Sequence, residues 1–178
     1  MTEKEKLAKL LWDSGVLRRT EGVKPLRWVP EAALRDEHAR TVLLDALEAM
    51  ARDHYASAQA VLGGPWAALL AERLDLPLNP GTLPRRLLAV TDAVTDGEEL
   101  YNLAAPIRAS GVSIAAAAIF NFDAPAARRR LDLADIRLHW LTDLETAAAV
   151  ALQEGLVDFE IYDRILALPE SMDGGACP

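Results

Sequence analysis

Two stretches of this chain concentrate side chains with chemistry to offer. The first is Thr91-Asp92-Ala93-Val94-Thr95-Asp96-Gly97-Glu98-Glu99. It follows an apolar run and opens a helical one, and a helix start presents unpaired backbone N–H groups at the positive end of its dipole, a natural cradle for phosphate. The same residues also read as a capped helix start whose first-turn acids the dipole favours. The second is Gly63-Gly64-Pro65, which closes the apolar run Ala58–Leu62 and precedes Trp66. Other chemistries have less to stand on. His38, His54 and His139 are scattered, and no His/Cys cluster has metal-ligand spacing. Gly63-Gly64 matches neither the Walker nor the Rossmann glycine pattern. Trp12, Trp28, Trp66 and Trp140 read as packing residues, with Trp66 also placed to line a pocket.

The elements that must position these loops follow from periodicity. Residues 2–14 read as a helix ended by Gly15, 16–29 as a short hairpin or extended arm, and 30–53 as a helical region strongest over Glu37–Asp53. Strands are expected at Ala58–Leu62, Arg86–Val90, Val112–Phe122 and Ile136–Leu141. Helices are expected at Trp66–Leu74, Glu98–Ser110, Pro125–Leu131, Thr142–Gln153 and Asp158–Leu168, the last capped by Asp158. Strands alternating with helices predict a parallel sheet. Continuously apolar strands predict a sheet covered on both faces. In such folds ligands bind beyond the carboxyl ends of the strands, where Gly63–Pro65 and the polar loop Thr91–Gly97 fall.

Composition bounds the rest. A chain of 178 residues, 51% hydrophobic and 26% charged, is the size and make-up of one folded domain and excludes a disordered chain. A net charge of −8 argues against nonspecific nucleic-acid binding. The lone cysteine, Cys177 in the tail 173–178, excludes a disulfide scaffold and fits a cytoplasmic protein with a free thiol. The opening MTEKEKLAKLLW reads as an amphipathic helix rather than a signal peptide, and no run is long enough for a membrane span.

The order of these pieces resembles the type I phosphoribosyltransferases, and among them the orotate phosphoribosyltransferases. Their signature is a strand, two adjacent acids, two small apolar residues, Thr-Thr-Gly-Gly-Ser/Thr and a helix. Leu87-Leu88-Ala89-Val90-Thr91-Asp92-Ala93-Val94-Thr95-Asp96-Gly97 falls in that frame. Ala60 through Leu78 is similar to the family's pyrophosphate-loop strand, helix and following strand. Leu7–Leu17 is similar to its first helix and hood entry, and Gly155–Glu160 to its C-terminal helix start. The resemblance spans about residues 7–168. It implies an α/β fold: a twisted parallel sheet flanked by helices, with an N-terminal helical hood. The division is 1–53 for N-terminal helices and hood, 54–141 for the α/β core, 142–168 for C-terminal helices and 169–178 for a tail, all one domain of 178 residues. It also implies a homodimer. Active members transfer ribose 5-phosphate from phosphoribosyl pyrophosphate (PRPP) to a base with Mg²⁺, so Mg²⁺ is the cofactor implied where PRPP binds. The implied PRPP and phosphate-loop positions are Thr91, Asp92, Thr95, Asp96, Gly97, Glu98 and Glu99. Those of the pyrophosphate loop are Gly63, Gly64, Pro65 and Trp66.

The departures concern residues with specific work. Of the family's acidic pair only Asp92 remains, beside Thr91. The cradle reads Thr95-Asp96-Gly97-Glu98-Glu99, so a phosphate is expected to face up to three carboxylates. Each such pair at ~5 Å and an effective dielectric of ~20 costs about 3 kcal/mol. The family's long catalytic loop is reduced to the tight connection Asn79–Arg86, where Arg85 and Arg86 are the only cations. The orotate-anchoring Arg after the third strand is replaced, since Phe122-Asp123 is followed by Ala124. Arg128, Arg129 and Arg130 read as a charged helix rim. The hood segment Val23–Trp28, with Lys24 and Arg27, does not match the family's lysine motif. The expectation is a cytoplasmic pseudoenzyme, catalytically impaired or repurposed, that acts by binding or interaction with an unidentified small molecule, away from membranes and nucleic acid. Two alternatives stand beside it. One is a divergent active phosphoribosyltransferase acting through Asp92. The other is a sensor whose acidic pocket (Asp92, Asp96, Glu98, Glu99) takes a cationic ligand or divalent metal.

Overall fold

The structure is a computed structural model and describes residues 1–22 and 24–171, so Val23 and the tail with Cys177 lie outside the described residues. The N-terminal part begins with α1 (Glu3–Asp13), whose Thr2 and Glu5 form a reciprocal capping box. The expected arm is a hairpin: β1 (Leu17–Arg19) pairs antiparallel with β2 (Leu26–Trp28). Two helices follow, α2 (Pro30–Arg35) and α3 (Glu37–Tyr55). Asp36 accepts a hydrogen bond from the Ala39 N–H to cap the second.

The core is a four-stranded parallel sheet in the order β3-β4-β5-β6. Its strands are β3 (Ala60–Gly63), β4 (Arg86–Val94), β5 (Ser113–Asn121) and β6 (Arg137–Asp143). The crossovers are α4 (Pro65–Leu74), α5 (Glu98–Arg108) and α6 (Pro125–Leu133). Leu87–Val90 of β4 and Ala116–Phe120 of β5 are buried, as expected for strands with helices on both faces. The run Ala115–Ala118 keeps β5 thin, and α3 packs against it.

Two boundaries differ from expectation, for one reason. β4 continues four residues past Val90, because Thr91, Ala93 and Val94 keep parallel partners in Ala118, Phe120 and Asn121. β6 likewise continues through Thr142 and Asp143, which pair with Phe120 and Asn121. Ladder pairing satisfies the backbone of polar residues that look loop-like in isolation. Asp143 then caps α7 (Leu144–Gln153) by accepting from the Thr146 N–H. The segment Leu76–Leu78 is not a strand; it makes one parallel bridge, Val61 with Leu78. The last expected helix is two, α8 (Phe159–Leu166), capped by Asp158, and α9 (Leu168–Ser171). α1 packs on α7 and β6 through Lys9–Glu154 at 2.9 Å, Lys4–Asp143 at 2.9 Å and the Trp12 indole N–H to the Ala147 carbonyl at 2.9 Å. None of the helices among the described residues is long and apolar enough to cross a membrane.

Candidate functional site

The two loops singled out by sequence both emerge at the carboxyl ends of neighbouring strands, β3 and β4. The extension of β4 alters their content. Thr91 and Asp92 are strand residues, and the connecting loop is Thr95–Gly97 alone. Thr91 is buried, and its hydroxyl donates to the Ala93 carbonyl at 3.2 Å. Asp92 is partly buried, and its Oδ1 accepts from the Ala93 N–H at 2.7 Å. Burial pushes its carboxyl above the ordinary value against that N–H bond, and the charge of Glu31 at the start of α2 pushes the same way.

The cradle is not acidified in the way its sequence suggests. Asp96 is 8% exposed, and its carboxylate is held between Arg130 and the first N–H of α5. Oδ2 pairs with Arg130 Nη1 at 2.8 Å, and the same Nη1 donates to the Asp96 carbonyl at 2.7 Å. Oδ1 accepts from the Glu98 N–H at 3.1 Å. Glu98 and Glu99 are exposed on the first turn of α5. Among the described residues the N–H groups of Thr95, Asp96, Gly97 and Glu99 have no protein partner. A phosphate at this turn would meet those donors with the nearest carboxylate already neutralised. The expected charge penalty is thus reduced, and Arg130 is a structural partner of the loop rather than a free helix rim. Gly97 has φ +76°, and a Cβ there would lie 3.0 Å from Ala127 Cα, so α6 also presses on the loop.

The Gly63 turn is held as tightly. Gly63 has φ +136°, and a Cβ there would meet the Val90 carbonyl at 2.3 Å. Asn79 clamps it from the next segment: Oδ1 accepts from the Gly63 N–H and Nδ2 donates to the Gly63 carbonyl, both at 3.1 Å. Gly64 and Pro65 are exposed at the start of α4, and Trp66 is 3% exposed. With Trp28 it borders a small interior void beneath the hood, together with Leu11, Val16, Leu43 and Ile119. Among the described residues neither indole N–H has a partner, a cost of about 1–3 kcal/mol each.

Elsewhere the structure joins what sequence left apart. Arg128 returns from α6 to the strand end, where its Nε donates to Asp123 at 2.9 Å. The connection 79–85 is exposed apart from its two prolines, and Arg85 and Arg86 are exposed. At the opposite end of the sheet a cavity of about 600 Å³ includes His54, Arg86, Ser113 and Arg137 in its lining. His54 stacks on His139 with ring centres 4.0 Å apart, and the Tyr55 hydroxyl lies 2.6 Å from His139 Nδ1. Sequence separation hides that pair, and it is two side chains only. Among the described residues no group of three or more His, Cys, Asp or Glu is placed to hold a metal.

No family model matches the chain. Curated relatives do. It is 28% identical over 160 residues to the orotate phosphoribosyltransferase of Sinorhizobium fredii, covering 76% of this chain and 66% of the relative. It is 29% identical over 117 residues to that of Coxiella burnetii, covering 56% of each. The chain thus spans between about half and two thirds of these relatives' length. Among solved structures, orotate phosphoribosyltransferase from Aeropyrum pernix superposes with a TM-score of 0.72 at 26% identity, over 84% of this chain and 99% of that one. The Mycobacterium tuberculosis enzyme in complex with PRPP matches in fold, with a TM-score of 0.62 at 16% identity over 82% of this chain and 99% of that one. The chain has the type I phosphoribosyltransferase fold, and it is similar in sequence and fold to orotate phosphoribosyltransferases.

Proposed function

We propose that this chain binds a PRPP-like sugar diphosphate across the carboxyl ends of β3 and β4, and that it is a repurposed relative of the orotate phosphoribosyltransferases with impaired transfer chemistry. The observation that carries the binding is the turn Thr95–Glu99, which offers unpartnered N–H groups while Asp96 is held by Arg130. Gly63 and Gly64 supply the second rim, fixed by Asn79. Mg²⁺ would arrive with the diphosphate, neutralising its charge, since the protein offers no three-ligand cluster among the described residues. The impairment rests on the short connection between Asn79 and Arg86. It is too short to close as a lid over a bound diphosphate, it is stiffened by two prolines, and Arg85 and Arg86 at its end are its only cations. A homodimer is part of the same reading and is checked by sedimentation velocity.

A second reading has its own support in Asp92, a partly buried carboxylate at the carboxyl end of β4. In that reading the chain transfers ribose 5-phosphate to a pyrimidine or other base, and Asp92 stabilises the cation that develops as the bond to diphosphate breaks. One titration separates these readings: PRPP with Mg²⁺ by calorimetry, followed by product analysis with orotate and uracil. Micromolar binding without nucleotide formation supports the first reading, and nucleotide formation the second. No binding at millimolar PRPP refutes both.

A further inference from the structure

We infer that Arg130 is a positioning residue for the anion-binding turn: it neutralises the Asp96 carboxylate at the cradle and so makes the turn receptive to phosphate. This rests on the proposed binding function and names the residue on which it depends.

The argument starts from an inconsistency in the chain. An aspartate in a phosphate cradle is unfavourable by charge alone, and Asp96 is nearly buried, so its charge needs a partner. The partner comes from the next crossover helix. Arg130 Nη1 reaches both the Asp96 carboxylate and the Asp96 backbone carbonyl, at 2.8 and 2.7 Å. One nitrogen thus neutralises the side chain and orients the peptide that leads into Gly97. Ala127, one turn earlier on the same face of α6, packs against Gly97. The turn is gripped from one helix by contact at Gly97 and by charge at Asp96. The other Asp96 oxygen accepts the Glu98 N–H, so the neutralised carboxylate takes up one donor of the turn and leaves the N–H groups of Thr95, Asp96, Gly97 and Glu99 for a ligand. The remaining guanidinium donors are partly exposed and add positive potential beside the cradle.

The test is a double-mutant cycle read by calorimetry, with PRPP plus Mg²⁺ and, separately, inorganic pyrophosphate as probes. Thermal midpoints are measured alongside. Arg130→Met leaves Asp96 unpaired and is expected to weaken binding at least tenfold. Asp96→Asn removes the charge and serves as the reference for the double variant. The double variant, with no charge left to neutralise, is expected to recover to within about threefold of Asp96→Asn. A purely structural Arg130 predicts instead that the double variant binds as weakly as Arg130→Met, and that result overturns the inference, as does unchanged affinity in Arg130→Met. Should Arg130→Met not fold, Arg130→Lys serves. It keeps the charge, so affinity held within about threefold supports the inference and a tenfold loss at an unchanged melting temperature overturns it. If the unaltered protein binds neither probe, the proposed function falls. The inference is then judged by adding inorganic phosphate and following the amide resonances of Thr95 and Gly97. Shifts lost in Arg130→Met and regained in the double variant sustain it, and silent amides end it.

Discussion

Replacing Gly63 with alanine tests how the loop after β3 is held, with a control one residue away. An added Cβ at Gly63 would lie 2.3 Å from the Val90 carbonyl oxygen and 3.0 Å from Ala67 Cβ, at φ +136°. The first clash is with backbone, in a strand whose register pairs Gly63 with Val90, so relief requires β3 and β4 to separate at their carboxyl ends. The positive φ alone costs an alanine about 1–3 kcal/mol. Forcing a methyl group into a packed site adds about 1–3 kcal/mol more. The expected loss is therefore about 3 kcal/mol or more, a fall in melting temperature of about 6–12 °C for a chain of this size. Gly64 has φ −88°, and a Cβ there would meet nothing within 4 Å. Gly64→Ala is therefore expected to stay within about 1 kcal/mol. Both variants are read by calorimetric melting and urea unfolding. The geometry is refuted if Gly63→Ala melts within about 2 °C of the parent, or if the two alanines cost the same.

Further expectations concern single groups. Asp143 is held down to about 2: burial pushes it up, but the Thr146 hydroxyl and the Lys4 ammonium, then the Thr146 amide and the Trp140 indole, outweigh burial. A depressed carboxylate stabilises the fold above its unfolded value near 3.8 and loses that contribution as pH falls toward 2. After a discount for solvent, Asp143→Asn should cost about 1–2 kcal/mol at pH 7 and almost nothing near pH 2, compared by urea unfolding at both. Burial pushes the Tyr55 phenol up to about 12, partly opposed by His139 and Arg137. An alkaline absorbance titration should show one tyrosine ionising near 12 that is missing in Tyr55→Phe. The neutral phenol's contribution should fade as pH rises from its ordinary value near 10 through 12. If nucleotide formation is found, Asp92→Asn should reduce it at least a hundredfold with PRPP affinity changed far less; an unchanged rate removes Asp92 from the chemistry.

The alternation of apolar runs with helical spacing, and the continuous burial of Leu87–Val90 and Ala116–Phe120, make the parallel sheet and its crossovers legible from the residues alone. Local signals did the same for Asp158 as a cap and for Gly63 and Gly97 as turn residues, because caps and positive-φ glycines are decided within a few residues. Strand ends were not legible. Thr91, Asp92, Thr142 and Asp143 join strands only because a neighbouring strand offers them hydrogen bonds. The direction of each charge was equally hidden. Asp96 and Arg130 are 34 residues apart, and only the packing of α6 against the turn decides that the carboxylate is neutralised. Asn79 clamping Gly63 is of the same kind. Sequence determines which elements form and which loops lie at the carboxyl ends of the strands, since those follow from local periodicity. Tertiary structure decides whether an acidic loop repels or admits an anion, since that depends on a partner brought from another helix.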